Sequence, residues 1–104
     1  MAKFRFSRRG EADLKGITAY TLRIWGESQT IRYIDNLEKC CQMLADKPKL
    51  GRAFDDVRPG LRRMECGRHI VFYREDRGGI LVSRILHKSI LPERHTVDDE
   101  GDQP

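Results

Sequence analysis

Three histidines, three cysteines and a recurring set of arginines are the side chains of this 104-residue chain whose types and spacing suit chemistry. His69, His87 and His95 are candidate proton carriers, because imidazole titrates nearest neutrality. Arg62, Arg63, Arg68, Arg84 and Lys88 are cations able to hold a phosphate or carboxylate beside them. Cys66 and His69 stand at C-x-x-H spacing, half of a zinc set. No second matching pair follows, so Cys40, Cys41 and Cys66 are read as buried thiols, and no metal or cofactor is expected. The odd cysteine count also argues against a secreted disulfide framework. A structural hydrogen bond is the simplest role for His69, which opens a predicted strand. Glu65, Glu75 and the Asp55-Asp56 pair read as surface charges, so no paired-carboxylate mechanism is legible.

The charge is unevenly spread. Net charge is +4, yet the last seven residues hold Asp98, Asp99, Glu100 and Asp102 and no base. Residues 1–97 carry 20 basic and 12 acidic side chains, a net of +8, and the segment from Lys47 to Val97 alone carries +6. A basic body of this kind favours an anionic partner. Nothing approaches the ~18 apolar residues of a membrane-spanning helix. Met1-Ala2-Lys3-Phe4-Arg5 lacks the apolar core of a signal peptide. A cytoplasmic location with no membrane partner is expected.

The elements that must position these residues follow from periodicity. Lys3–Phe6 alternates and predicts a strand, and Ser7 is placed to cap the helix after it. Leu14, Ile17, Thr21, Ile24 and Trp25 form one helical stripe, ended by Gly26. Ile31, Ile34, Leu37, Cys41 and Leu44 form a second, ended by Lys47-Pro48. Trp25 reads as a core anchor at the helix end in preference to a binding hot spot. Tyr20, Tyr33, Cys40 and Met43 lie partly off the stripes, either widening the core contact or lining a partner groove. Leu50–Gly60 is expected to be a loop. Strands are expected at Leu61–Cys66, Arg68–Arg74 and Ile80–Leu86, the last two joined through Asp76-Arg77-Gly78-Gly79. The order β-α-α-β-β-β predicts an α+β domain over residues 1–97, a helix hairpin packed on one face of a small antiparallel-dominated sheet, followed by an acidic tail over 98–104.

The last two strands carry apolar residues toward both faces. Strict alternation puts Ile80, Val82 and Leu86 on one side and Leu81 and Ile85 on the other. Two helices cover one face of a sheet, so a partner's helix or strand is expected on the second, in preference to the chain's own segment from Lys88 to Val97.

Four runs of residues are familiar. They are Arg58-Pro59-Gly60-Leu61-Arg62, Gly67-Arg68-His69-Ile70-Val71-Phe72-Tyr73-Arg74, Ile80-Leu81-Val82-Ser83-Arg84-Ile85-Leu86-His87 and Pro92-Glu93-Arg94-His95. With Ala12-Asp13-Leu14, Trp25-Gly26 and Leu50-Gly51-Arg52, the chain from about Lys3 to His95 resembles ParE-type toxins of the RelE/ParE toxin–antitoxin superfamily. The resemblance implies a cognate ParD-like antitoxin whose flexible segment wraps the toxin, and DNA gyrase as a target inhibited by binding, not by catalysis. Nucleic acid would then be met only through the antitoxin complex. The sister RelE-like branch cleaves messenger RNA on the ribosome with a dense lysine and arginine cluster and a C-terminal tyrosine. Here Tyr20, Tyr33 and Tyr73 all lie earlier. A ribonuclease and a non-toxic antitoxin-binding relative stay open as alternatives. The antitoxin is expected on Arg62, Arg68, Ile70, Phe72, Arg74, Ile80 and Val82. The target is expected on Arg84, His87, Lys88, Arg94 and His95.

Overall fold

In the computed structural model the described residues are 2–89. Arg94, His95, the expected boundary after Val97 and the acidic tail lie outside them. Strand β1 (Lys3–Phe6) leads into helices α1 (Arg8–Trp25) and α2 (Glu27–Asp46). A 3-10 turn at Pro48–Leu50 precedes β2 (Arg52–Ala53), β3 (Arg62–Cys66), β4 (His69–Asp76) and β5 (Gly79–His87). The five strands form one mixed sheet in the order β1-β5-β4-β3-β2. Only the β1–β5 pairing is parallel; the others are antiparallel. The architecture is α+β with the helix hairpin on the sheet, as the sequence predicts. The two-residue edge strand β2, inside the expected loop, is an addition, and Leu61 lies just outside β3.

Gly26 makes the hairpin possible. Its φ of +86° lets one residue serve as C-cap of α1 and N-cap of α2, a conformation costly for a residue bearing a Cβ. Leu37, Cys41, Leu44 and Ala45 of α2 pack against Val71, Tyr73, Ile80, Val82 and Ile85, with Leu14 and Ile17 of α1 at the margin.

Ile85 on the helix side departs from strict alternation. Phe72 pairs with Arg84 but Tyr73 pairs with Val82, so β5 carries one extra residue, Ser83. Such a bulge reverses which face the following side chains meet. Ile80, Val82 and Ile85 therefore share the helix-side core, while Leu86 joins Ile70 and Phe72 on the other side.

That other side is covered within the chain, which corrects the expected exposed apolar face. Leu61 packs there with Ile70 and Phe72, and Phe54 and Val57 of the loop close over them. Ile70, Phe72, Ile80 and Val82, expected at the antitoxin interface, are all buried. Their apolar surface is already withdrawn from water, which is what core residues supply.

Tyr73 ties the loop to the sheet. Its hydroxyl accepts from Gly51 N at 2.8 Å and donates to the Pro48 carbonyl at 2.7 Å. A Tyr73→Phe variant is expected to lose about 1–3 kcal/mol in urea unfolding, because two backbone groups near the buried Gly51 lose their partner. A change within the noise of a surface substitution would show that water replaces the hydroxyl.

Candidate functional site

The helix-side surface opens into a groove of about 680 Å³ between α1 and the C-terminal half of β5. It exists because β1 is short. β1 pairs with β5 only from Gly79 to Val82. Beyond that, the chain leaves the sheet as α1 and lies along the open edge of β5.

Three contacts hold α1 there. Ser7 Oγ donates to the Ser83 carbonyl at 2.8 Å and accepts from Gly10 N at 3.0 Å, capping the helix as predicted. A Cβ on Gly10 would stand 2.6 Å from the Val82 carbonyl oxygen, so the absence of a side chain sets the approach. The Asp13 carboxylate takes the Ile85 N–H at 2.9 Å, where another strand's carbonyl would otherwise bind, and also pairs with Arg84 through Nε at 2.7 Å and Nη2 at 3.0 Å. Both side chains are mostly buried, at 18% exposure for Arg84 and 15% for Asp13. Arg84, expected at the target surface, is thus a structural cation of the groove wall.

The opposite wall comes from α2 and the β3–β4 turn. Tyr33 reaches from α2 to His69 Nδ1 at 2.5 Å, and its oxygen accepts from Arg68 N at 2.9 Å. Burial raises the Tyr33 hydroxyl above its ordinary value, against the Arg68 N–H and charge. Burial also lowers the His69 ring below its ordinary value, helped by His87 and Arg68 and opposed by Asp13. His87 meets His69 edge-on with ring centroids 5.4 Å apart, and its Nδ1 is hydrogen-bonded to Ser89.

The rim is aromatic and cationic. Trp25 is 50% exposed and Tyr20 is 55% exposed, which corrects the reading of Trp25 as a core anchor. The Arg68 guanidinium lies 5.3 Å over the Trp25 ring and the Arg23 guanidinium 5.7 Å from the Tyr20 ring.

The expected site residues therefore scatter. Arg68, Arg84 and His87 line the groove. Lys88 is exposed beyond the end of β5, 3.7 Å from Glu65. Arg62 donates to the Gly51 carbonyl on the β2 side, and Arg74 is half-buried on β4. Tyr20 and Tyr33, read as possible lining of a partner groove, do line this one with Trp25, and Asp13, which was not expected as a site residue, completes it. Ala12, Asp13, Gly16, Tyr20 and Ile24 follow helical spacing and were a second stripe available to be read.

The cysteines also differ from expectation. Cys40 and Cys66 form a disulfide, and Cys41 is the free cysteine. Burial, with Glu38 nearby, pushes the Cys41 thiol up to about 12. Cys66 is thus no thiol ligand beside His69.

His69 gives a pH prediction. Its folded-state value lies below the roughly 6.5 of an unfolded histidine, so the unfolded chain binds the extra proton first. Its contribution is fully present above about 6.5 and is lost as pH falls through that value toward the lowered one. Urea midpoints at pH 7.5 and 5.5 should differ more for the native chain than for His69→Gln. Equal differences would show that His69 is not the group.

The profile described as the ParE toxin of type II toxin–antitoxin system, parDE, matches residues 4–92. Among curated proteins, the chain is 37% identical to Toxin ParE1 of Caulobacter vibrioides, covering 91% of this chain and 98% of the relative. It is 34% identical to Toxin ParE1 of Mycobacterium tuberculosis (90% and 97% covered) and 37% identical to Toxin ParE of Escherichia coli (85% and 86%). A solved chain of the chromosomal ParDE system of P. aeruginosa superposes with a TM-score of 0.69 at 18% identity, covering 84% of this chain and 96% of that one. That likeness is one of fold.

Proposed function

We propose a function on one premise: the chain belongs to the ParE toxin family of type II toxin–antitoxin systems. It acts as a toxin that a cognate, ParD-like antitoxin neutralises and that inhibits DNA gyrase by binding. The observation that carries the binding reading is the groove. Half-exposed Tyr20 and Trp25 stand at its rim with Arg68 and His87, a recess fitted to an amphipathic segment with acidic residues. Described residues 2–89 carry 19 basic and 11 acidic side chains, so the body attracts such a segment at long range. Gyrase as target follows the habit of the family. Lys88 and His87, exposed at the end of β5, are members of the surface proposed for it; Arg94 and His95, also expected there, lie outside the described residues.

A ribonuclease reading is favoured by one feature, the Tyr33–His69–His87 row beside Arg68, which brings proton carriers and a cation together. One paired assay separates the two. The purified chain is added to a gyrase supercoiling reaction and to a translation extract. Lost supercoiling with intact messenger is the expected result, with Lys88→Glu reducing the loss. Messenger cleavage with normal supercoiling would overturn the proposal, and inertness in both would leave an antitoxin-binding relative without toxicity.

A further inference from the structure

We propose that the Cys40–Cys66 pair is a thiol–disulfide exchange site for a small or protein dithiol, and that its state sets the shape of the groove's α2 wall. The position of the bond carries this. Cys40 stands two turns after Tyr33 on α2, a separation of seven residues that puts both on one helical face. Cys66 ends β3 one residue before Gly67, the first residue of the β3–β4 turn. The bond thus clamps the Tyr33 face of α2 to the turn that Tyr33 reads.

Everything Tyr33 touches there is close. Gly67 has φ +65°, and a Cβ on it would lie 2.9 Å from the Tyr33 ring. Arg68 N donates to the Tyr33 oxygen, and His69 Nδ1 is hydrogen-bonded to the same oxygen. Arg68 in turn covers Trp25. Between the disulfide and the groove rim the path is one glycine, one hydrogen-bonded tyrosine and one stacked guanidinium.

The two sulfurs are unequal in access. Cys40 is half-buried and Cys66 is buried. A thiolate of the dithiol therefore attacks Cys40 Sγ; the S–S bond breaks, and Cys66 leaves as thiolate and takes a proton. The second thiol of the reagent attacks the mixed disulfide, frees the Cys40 thiol and departs as the oxidised reagent. Two electrons pass from the dithiol to the pair. Cys41 is buried with its thiol held protonated, so it stands outside the exchange.

The test uses the full chain. Alkylation after unfolding should count one label on the oxidised chain and three on the dithiol-treated one. Trp25 is the single tryptophan, so its emission reports the rim directly. Emission should change over the same dithiol titration as the labels, and the thermal midpoint should fall by roughly 10 °C. A Cys40→Ser/Cys66→Ser chain should show the reduced emission without responding to dithiol, while Cys41→Ser keeps the native response. Three labels after treatment with glutathione disulfide would overturn the pair. Unchanged Trp25 emission and an unchanged His69 titration by NMR across reduction would overturn the coupling. Antitoxin affinity should fall about tenfold on reduction, a consequence that rests on the function proposed above. An antitoxin that binds neither form would overturn that function, while labels and emission still decide the exchange.

Discussion

Asp13→Ala should lower the unfolding free energy by about 3 kcal/mol, the largest loss expected from any single charged side chain among the described residues. The carboxylate does two jobs at once. It neutralises Arg84, which is mostly buried, and it satisfies the Ile85 N–H on the stretch of β5 beyond its pairing with β1. Removing it takes from the Arg84 charge and from the Ile85 donor the one carboxylate they share, and losing one side of a mostly buried ion pair is costly. Asp13→Asn should cost less, because its amide oxygen can still accept from Ile85. Asp13→Ala with Arg84→Met should recover part of the loss, since the mostly buried guanidinium is then removed together with its carboxylate. Asp35→Ala provides the scale: it breaks an exposed i,i+4 pair with Lys39 and should cost a few tenths of a kcal/mol. Urea curves on the four variants measure this directly. If Asp13→Ala matched Asp35→Ala, the Asp13–Arg84 pair would not be what holds α1 on the β5 edge.

Trp25→Ala is expected to weaken the antitoxin complex by about 2 kcal/mol, roughly 30-fold in Kd. It should leave the fold nearly as stable as before. The ring is half in solvent, and its described partner is a guanidinium, worth about 0.5–1 kcal/mol at an exposed site. Tyr20→Ala, on the same rim, should act in the same direction. Most of the change should appear in the dissociation rate, because the rings act by filling contact and not by steering. Arg68→Glu should instead slow association and reduce its salt dependence. A Trp25→Ala chain binding antitoxin with native affinity would move the interface away from this groove.

These residues show where the sequence was readable. β1, the Ser7 cap, the Gly26 hairpin and the Gly78-Gly79 turn obey local rules, and each appears where periodicity and turn chemistry put it. What local rules do not carry is the consequence of a long-range meeting. The Ser83 bulge inverts the faces of Ile85 and Leu86, and nothing in an apolar run announces the inversion. Phe54 and Val57 cover the far face from a segment with no periodicity to betray it. Asp13 and Arg84 are 71 residues apart, as an acid and a base on separate elements. Cys40 and Cys66 likewise meet only once α2 crosses the sheet. Of the site itself, Arg68 and His87 were legible as cation and imidazole. Tyr20 was readable as possible groove lining, but Trp25 falls on the core stripe by spacing and is nevertheless half exposed.

The parallel pairing of β1 with β5 has a consequence in time. Ser7 bonds to Ser83 across 76 residues of chain, and the first strand finds its neighbour only in the last described one. Closing so long a loop must precede the contacts that reward it, which makes such pairing late in folding. During synthesis from the N-terminus, α1 and α2 can form as local helices, but α1 has no edge to lie on until β5 has emerged. The groove between them therefore does not exist on a growing chain. On a ribosome making this protein the groove is absent until β5 has left it, so any partner of the groove meets it only from that moment.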